Sequence, residues 1–442
     1  MSIKRIYTSY NHFIHKGRVM KEKKEYIVLG MALFAMFFGA GNLIFPPSIG
    51  NAAGENWIMA MFGFLTTGVG LPLLGIMAFN KVGSLENFAS KVSKKFNIIY
   101  CSLLIISLGP LLAIPRTGAT TYEMGIQPVF GDINPGIVSF IYFSITLAMV
   151  LNPSKIIDNV GKILTPIILL MLAGIILKGS FIKIGTPVPT HLTTNPFSFG
   201  FLGGYQTMDA LASILMGAVI MNALVSKGYT DRSVQKSLIL KASAIAGIGL
   251  ASVYGGLLYL GATSSSVVSD FGKTKLTMFI AEATLGNLGN LALGLCVSAA
   301  CLTTSVGLVT IVGDYFSKFG KFTYRQIVTA TCIFSGVMAI AGVDTIVKIA
   351  APILVILYPV TIVLIVFTLL NVRDTALYKA GALTAVTFSF IEVSYTIMHI
   401  DFFKVIYLNL PFSDSGFSWL IPTLGITTLF FTRNRFRHIR SK

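Results

Sequence analysis

The sequence predicts an all-α polytopic membrane protein with twelve transmembrane helices: a five-plus-five inverted repeat in which helices 1 and 6 are broken, followed by two extra helices. Three observations carry that expectation. Of 442 residues, 54% are hydrophobic and 12% charged, with a mean hydropathy of +0.78, whereas a soluble domain carries about 25% charge. Twelve apolar segments follow one another, most near the ~20 residues that a helix needs to cross a bilayer. The segments whose interiors combine glycines with strongly polar residues are the first and the sixth, about 170 residues apart, the spacing expected of two inverted five-helix halves.

Segments 1 to 12 cover residues 26–47, 57–79, 98–124, 136–152, 160–178, 199–225, 237–261, 287–313, 326–342, 349–371, 380–400 and 416–432. Continuous apolar runs of this kind exclude a membrane barrel, whose strands alternate over about ten residues. The chain therefore divides into a basic segment 1–25, a first repeat 26–178, a second repeat 199–371, segments 11 and 12 over 380–432, and a basic tail 433–442.

The net charge of +17 invites a nucleic-acid reading, but position decides against it. With the N-terminus inside, 27 of the 34 Lys and Arg lie in inner loops and termini, and six lie outside: Lys178, Lys183, Lys273, Lys275, Lys348 and Lys404. The remaining one, Arg116, is inside segment 3. That is the charge bias of membrane topology rather than a phosphate-facing patch, and it places both termini in the cytoplasm.

Catalytic readings find no footing. Cys101, Cys296, Cys301 and Cys332 lie in apolar segments without CxxC spacing, as packing residues do. The five histidines, His12, His15, His191, His399 and His438, form no zinc motif.

Segment 1 carries Gly39, Ala40, Gly41 and Asn42, followed by Pro46 and Pro47. A GxG pair alone is equally a packing face against a neighbouring helix. The surrounding residues favour an interruption: the glycines relax the backbone, Asn42 can satisfy freed backbone groups, and Pro46 has no N–H to continue the ladder. Segment 6 has the same character, with Gly200, Gly203 and Gly204, then Tyr205, Gln206, Thr207 and Asp209. A carboxylate at membrane depth costs roughly 2.5 to 3.5 kcal/mol, so Asp209 should face a polar cavity or hold the broken helix by a structural hydrogen bond.

Segment 8 adds Thr303, Thr304 and Ser305. Such hydroxyls often bond back to the preceding turn, but beside an unwound helix they complete an oxygen cage for a small hard cation. Segment 3 places Arg116 and Glu123 seven residues apart on one helical face, with Pro110 and Pro115 expected to kink it. Arg116 could gate the site by pairing with Asp209 or Glu123, or could reach the outer interface. Glu392 in segment 11 reads as structural.

Together, the stretches GMALFAMFFGAGNLIFPPSIG, AIPRTGATTYEMG, GFLGGYQTMDALAS and CLTTSVGL resemble the bacterial branched-chain amino acid carrier family, sodium-coupled uptake systems for leucine, isoleucine and valine with the leucine-transporter architecture. The resemblance implies a non-enzymatic importer of the bacterial cytoplasmic membrane, with an amino acid, sodium and the bilayer as partners and no cofactor. It implies that the backbone around Gly39, Ala40, Gly41 and Asn42 receives the substrate carboxylate at a positive half-helix end. It places Tyr205, Gln206 and Thr207 against the amino acid and gives Asp209 the task of organising the break. The carbonyls of Ala35 and Phe38 with the hydroxyls of Thr303 and Thr304 would hold sodium, Ser305 being the alternative register. Met36 stands where many relatives of the wider fold carry a polar residue, so one sodium is expected rather than two. The alternative is a proton-coupled carrier of the same fold, with Asp209 or Glu123 titrating.

Residues 20–30 (MKEKKEYIVLG) would make a compact start by themselves, so residues 1–19 are expected to be an untranslated upstream extension. Mass spectrometry of the protein from its native host should find no peptide such as IYTSYNHFIHK; detecting one removes this expectation.

Overall fold

A computed structural model of the chain describes residues 25–151, 155–189, 192–269 and 271–440. Residues 1–24, with His12, His15 and Met20, and position 191 lie outside that description, as do the side chains of 155–165 and 433–440. All regular structure among the described residues is helical, and every one of the twelve apolar segments falls on helix. Seven helical runs are long and apolar enough to cross a membrane, among them Lys94–Phe130, Arg232–Ser264 and Val343–Leu369. Shorter apolar helices include Glu25–Phe37 and Pro135–Leu151.

Segment 1 breaks where small residues remove side-chain constraint: helix Glu25–Phe37 stops, Phe38 and Gly39 are non-helical, and a second helix runs from Ala40 to Ala53. The break is narrower than the composition suggests. Pro46 and Pro47 lie inside the second helix rather than ending it, because that helix is held against segment 7 by backbone contact. A Cβ on Gly50 would stand 1.9 Å from the Leu258 carbonyl oxygen, and one on Gly261 would stand 2.0 Å from that of Pro47.

Segment 6 divides into helices Pro196–Tyr205 and Asp209–Ser226, separated by Gln206, Thr207 and Met208. Its glycines are not the hinge that their number suggests. They lie in the first helix and let it approach segment 2: a Cβ on Gly200 would stand 1.9 Å from the Ala60 carbonyl oxygen, and one on Gly63 would stand 2.0 Å from that of Phe197. Contact of segment 1 with 7 and of segment 6 with 2 is one pairing repeated after exchange of the halves, as an inverted repeat requires.

Segment 3 is irregular where prolines were expected to disturb it. A π turn spans Ser107–Leu111 with Gly109 at φ −86° and ψ −121°, a helix follows over Ala113–Thr120, and a second π turn spans Thr121–Ile126. The wider second turn rotates Glu123 off the face that carries Arg116. In segment 8 the helix Lys273–Ser317 is interrupted at Gly286, φ 73°, just before the apolar run begins.

The four cysteines are buried as packing residues. Glu392 accepts a hydrogen bond from Ser418 and so ties segment 11 to segment 12, which is the structural role expected of it.

Backbone-to-backbone contact leaves no room for a methyl group. Gly50→Ala and Gly200→Ala are each expected to destabilise the protein by about 1–3 kcal/mol, the usual cost of overpacking. Gly39→Ala, whose added carbon meets nothing within 4 Å, should leave the unfolding midpoint unchanged. Thermal unfolding in detergent micelles checks all three.

Candidate functional site

Breaking two helices inside a membrane frees backbone groups that no water can satisfy, and the residues at the two breaks meet that need together. The Asn42 side-chain amide donates to the Phe37 carbonyl at 2.7 Å, to Asp209 Oδ2 at 2.6 Å and to the hydroxyl of Tyr254. An amide nitrogen has two hydrogens, so three oxygens share them. Asn42 thereby closes the last turn of the helix Glu25–Phe37, fastens it to segment 6 and reaches segment 7.

On the segment 6 side, Met208 occupies the left-handed region at φ 63°, a conformation that costs a non-glycine residue and marks a built break. Thr207 Oγ1 donates to the Gly204 carbonyl at 2.9 Å. Asp209 is the first residue of the helix Asp209–Ser226, where a carboxylate is favoured by the helix dipole. Arg116 donates through Nη1 to the Gln206 carbonyl at 2.6 Å and lies over the Phe45 ring at 5.3 Å. Arg116, Asp209 and Asn42 are 6%, 5% and 1% exposed, so a cation, an anion and an amide are all buried in apolar surroundings.

These groups line one cavity of about 320 Å³, within the range of small-molecule sites. Segment 1 contributes Ala35, Gly39, Ala40, Gly41 and Asn42, and segment 6 contributes Thr207 and Asp209. Arg116 and Thr117 from segment 3 and Thr303 and Thr304 from segment 8 complete the polar lining. Met36, Leu108, Met216, Leu308 and Ile311 make an apolar wall. A second cavity of about 310 Å³ shares Val219 and Ile311 with the first and extends to Asp314 and Lys318, towards the loop that carries Lys318, Lys321 and Arg325.

Four expected site residues lie off the cavity lining. The Phe38 ring stacks on Phe34 and Tyr254, with centroids at 5.3 and 6.4 Å. Tyr205 is 2% exposed and stacks on Tyr358 at 3.9 Å, so it supports the break from behind. Gln206 takes part through its carbonyl. Glu123 joins neither Arg116 nor Asp209: its carboxylate accepts from the Val343 N–H at 2.8 Å and the Thr274 hydroxyl at 2.6 Å, beside the Lys273–Asp344 ion pair at 2.8 Å. Those contacts fasten segments 3, 8 and 10 at the end away from the second cavity. Ser305 is buried off the lining, and Thr303 Oγ1 donates to the Ala300 carbonyl at 2.9 Å.

Sequence reasoning missed Tyr254, Met208 and Tyr358. The tyrosines carry a signal only in hindsight, as polar tips within the apolar runs of segments 7 and 10. Met208 carries none, because its role is a backbone angle.

A family model described as branched-chain amino acid transport protein matches residues 22–437. The chain is 40% identical over 415 residues to the branched-chain amino acid permease BraB of Bacillus subtilis, covering 90% of this chain and 93% of that one. It is 36% identical over 409 residues to the branched-chain amino acid transport system 2 carrier protein of Pseudomonas aeruginosa, covering 90% and 93%. Among solved structures, Mhp1, a nucleobase-cation-symport-1 family transporter, superposes with a TM-score of 0.60 at 14% identity over 93% of this chain and 92% of its own. MhsT in complex with L-phenylalanine superposes with a TM-score of 0.57 at 16% identity over 91% and 98%. These likenesses show the fold: an all-helical bundle of the five-plus-five kind with broken helices 1 and 6.

Asn42→Leu leaves the buried Asp209 carboxylate without its donor, and a lost hydrogen bond to a charged group costs about 1.5–3 kcal/mol. Tyr254→Phe keeps the ring and removes one oxygen that competes for the same amide, so it should cost under about 1 kcal/mol. Unfolding midpoints of the two variants should differ in that order.

Proposed function

Because the chain belongs to the branched-chain amino acid transport protein family, we propose that it imports leucine, isoleucine and valine across the bacterial cytoplasmic membrane, coupled to sodium, by alternating access. The observation that carries this reading is the single cavity lined jointly by both broken helices and the segment 8 hydroxyls. Its apolar wall suits an aliphatic side chain, and one methylene there discriminates by only about 1–3 kcal/mol. The three substrates should therefore compete.

On this reading the halves 26–178 and 199–371 are the two inverted repeats, and both termini are cytoplasmic, in keeping with the basic inner loops. The second cavity then leads inward, and the contacts of Glu123 close the outer end. Sodium would sit between the carbonyls of Ala35 and Phe38 and the hydroxyls of Thr303 and Thr304. Met36 on the lining supplies no hard oxygen ligand for a second ion. One charge moving through about 100 mV yields about 2.3 kcal/mol, and a tenfold sodium gradient adds about 1.4 kcal/mol. Accumulation of several hundredfold is then within reach.

A proton-coupled carrier is the second reading, favoured by the burial of Asp209 against Asn42 in the same cavity. Uptake of labelled leucine into proteoliposomes under an imposed sodium gradient, a proton gradient or neither separates the two. Sodium alone should drive accumulation, and excess valine or isoleucine should abolish it. Thr303→Ala combined with Thr304→Ala should remove the sodium dependence with the fold intact; unchanged dependence rejects that cation site.

A further inference from the structure

Arg116 is the one basic and Asp209 the one acidic side chain on the wall of the central cavity. Among the described residues they form no ion pair with each other, since the only such pairs are Lys227–Glu25 and Lys273–Asp344. A guanidinium buried to 6% exposure inside a membrane ordinarily needs a counter-charge within reach. Arg116 makes its direct contacts to a carbonyl, that of Gln206, and to the face of Phe45, with the Asp209 side chain within electrostatic reach but beyond ion-pair distance. Of its five N–H donors, one is used in a hydrogen bond among the described residues.

What lies beside the unused donors is also positive. Arg116 Nη2 is pressed onto the first turn of the helix Ala40–Ala53, so close that a Cβ on Gly41 would stand 2.7 Å from it. That helix has no side-chain cap and no acidic residue in its first turn; the Asn42 N–H donates to the Gly39 carbonyl at 3.1 Å, and the Ala40 and Gly41 N–H groups at its start have no intrahelical partner. A helix N-terminus and a guanidinium, both on the cavity wall, form one electropositive corner, and among the described residues no acidic side chain hydrogen-bonds or ion-pairs there. Asp209 is turned to the Asn42 amide, and Glu123 is committed to Val343 and Thr274.

We propose that Arg116 is the carboxylate anchor of the substrate, acting with the Ala40 and Gly41 amides, while Asp209 receives the ammonium group. This deepens the transport reading and rests on it. A zwitterion then gives each of the two groups a direct ion-pair partner at once, which neither a simple anion nor a simple cation does. The fork of the guanidinium suits a carboxylate geometrically, and glycine at position 41 is what lets that fork lie against the helix end. Arg116 is thereby a specificity residue for the α-amino acid backbone, whereas the apolar wall reads the side chain.

The test is binding of L-leucine and of L-leucinamide, which keeps the ammonium and side chain but lacks the carboxylate, to the full-length protein in lipid nanodiscs. The wild-type protein should prefer leucine by at least about 100-fold, well within the ~10⁴-fold by which a site built for a polar group can reject an analogue lacking it. Arg116→Gln should weaken leucine by about 30-fold or more and leucinamide by less than about threefold, so that the preference collapses. Arg116→Lys, which keeps the charge without the fork, should fall between. Gly41→Ala, which displaces the guanidinium without removing it, should weaken leucine more than leucinamide, and it serves if Arg116→Gln does not fold. A wild-type preference kept in these variants, or an equal loss of both ligands, overturns the proposal and leaves Arg116 with a structural role. Failure of the wild-type protein to bind leucine at all overturns the transport reading itself.

Discussion

The structure depends on one side-chain amide. Helices survive in a bilayer because every backbone group is satisfied within the segment, and this protein gives that up at the two breaks that line the cavity, Phe38–Gly39 and Gln206–Met208. Asn42 bridges what the breaks expose, linking the end of one half-helix at the Phe37 carbonyl to the start of another at Asp209 and to Tyr254. Arg116 does the complementary work for the helix Pro196–Tyr205 through the Gln206 carbonyl. The polar groups that make the cavity are thus the same ones that make the broken helices tolerable, so the site and the fold cannot be varied independently.

Much of this was legible in the residues because membrane insertion makes polarity expensive. Gly39, Gly41, Asn42, Thr207 and Asp209 stand out in apolar runs, and the structure brings them to one wall with Arg116, Thr303 and Thr304. Legibility ends where the same residue type serves two ends. Gly200 reads like a hinge residue but is a close-contact residue, and Pro46 reads as a stop but lies inside a helix. Composition does not separate flexibility from proximity; the neighbouring backbone does.

Periodicity failed for a different reason. Arg116 and Glu123 share a face on an ideal helix, yet the π turn at Thr121–Ile126 changes the angular step between them. Glu123 then serves the start of segment 10 while Arg116 serves the cavity. A single inserted step in one helix therefore separates two charges that a straight helix would hold together. Tyr205 shows the same limit at a stack: its 3.9 Å contact with Tyr358 depends on a segment more than 150 residues away in the chain.

The backbone contacts of segment 1 with segment 7 and of segment 6 with segment 2 also limit how the molecule can deform. Side chains that interlock across an interface can exchange rotamers and let two helices slide past one another. Where a glycine sits directly on a carbonyl, as Gly50 does on Leu258 and Gly200 on Ala60, no rotamer exists to exchange. Sliding at those lines is blocked, and each pair behaves mechanically as one bar. Compliance is left to the non-helical joints at residues 38–39 and 206–208, where the half-helices Glu25–Phe37 and Asp209–Ser226 meet those two bars.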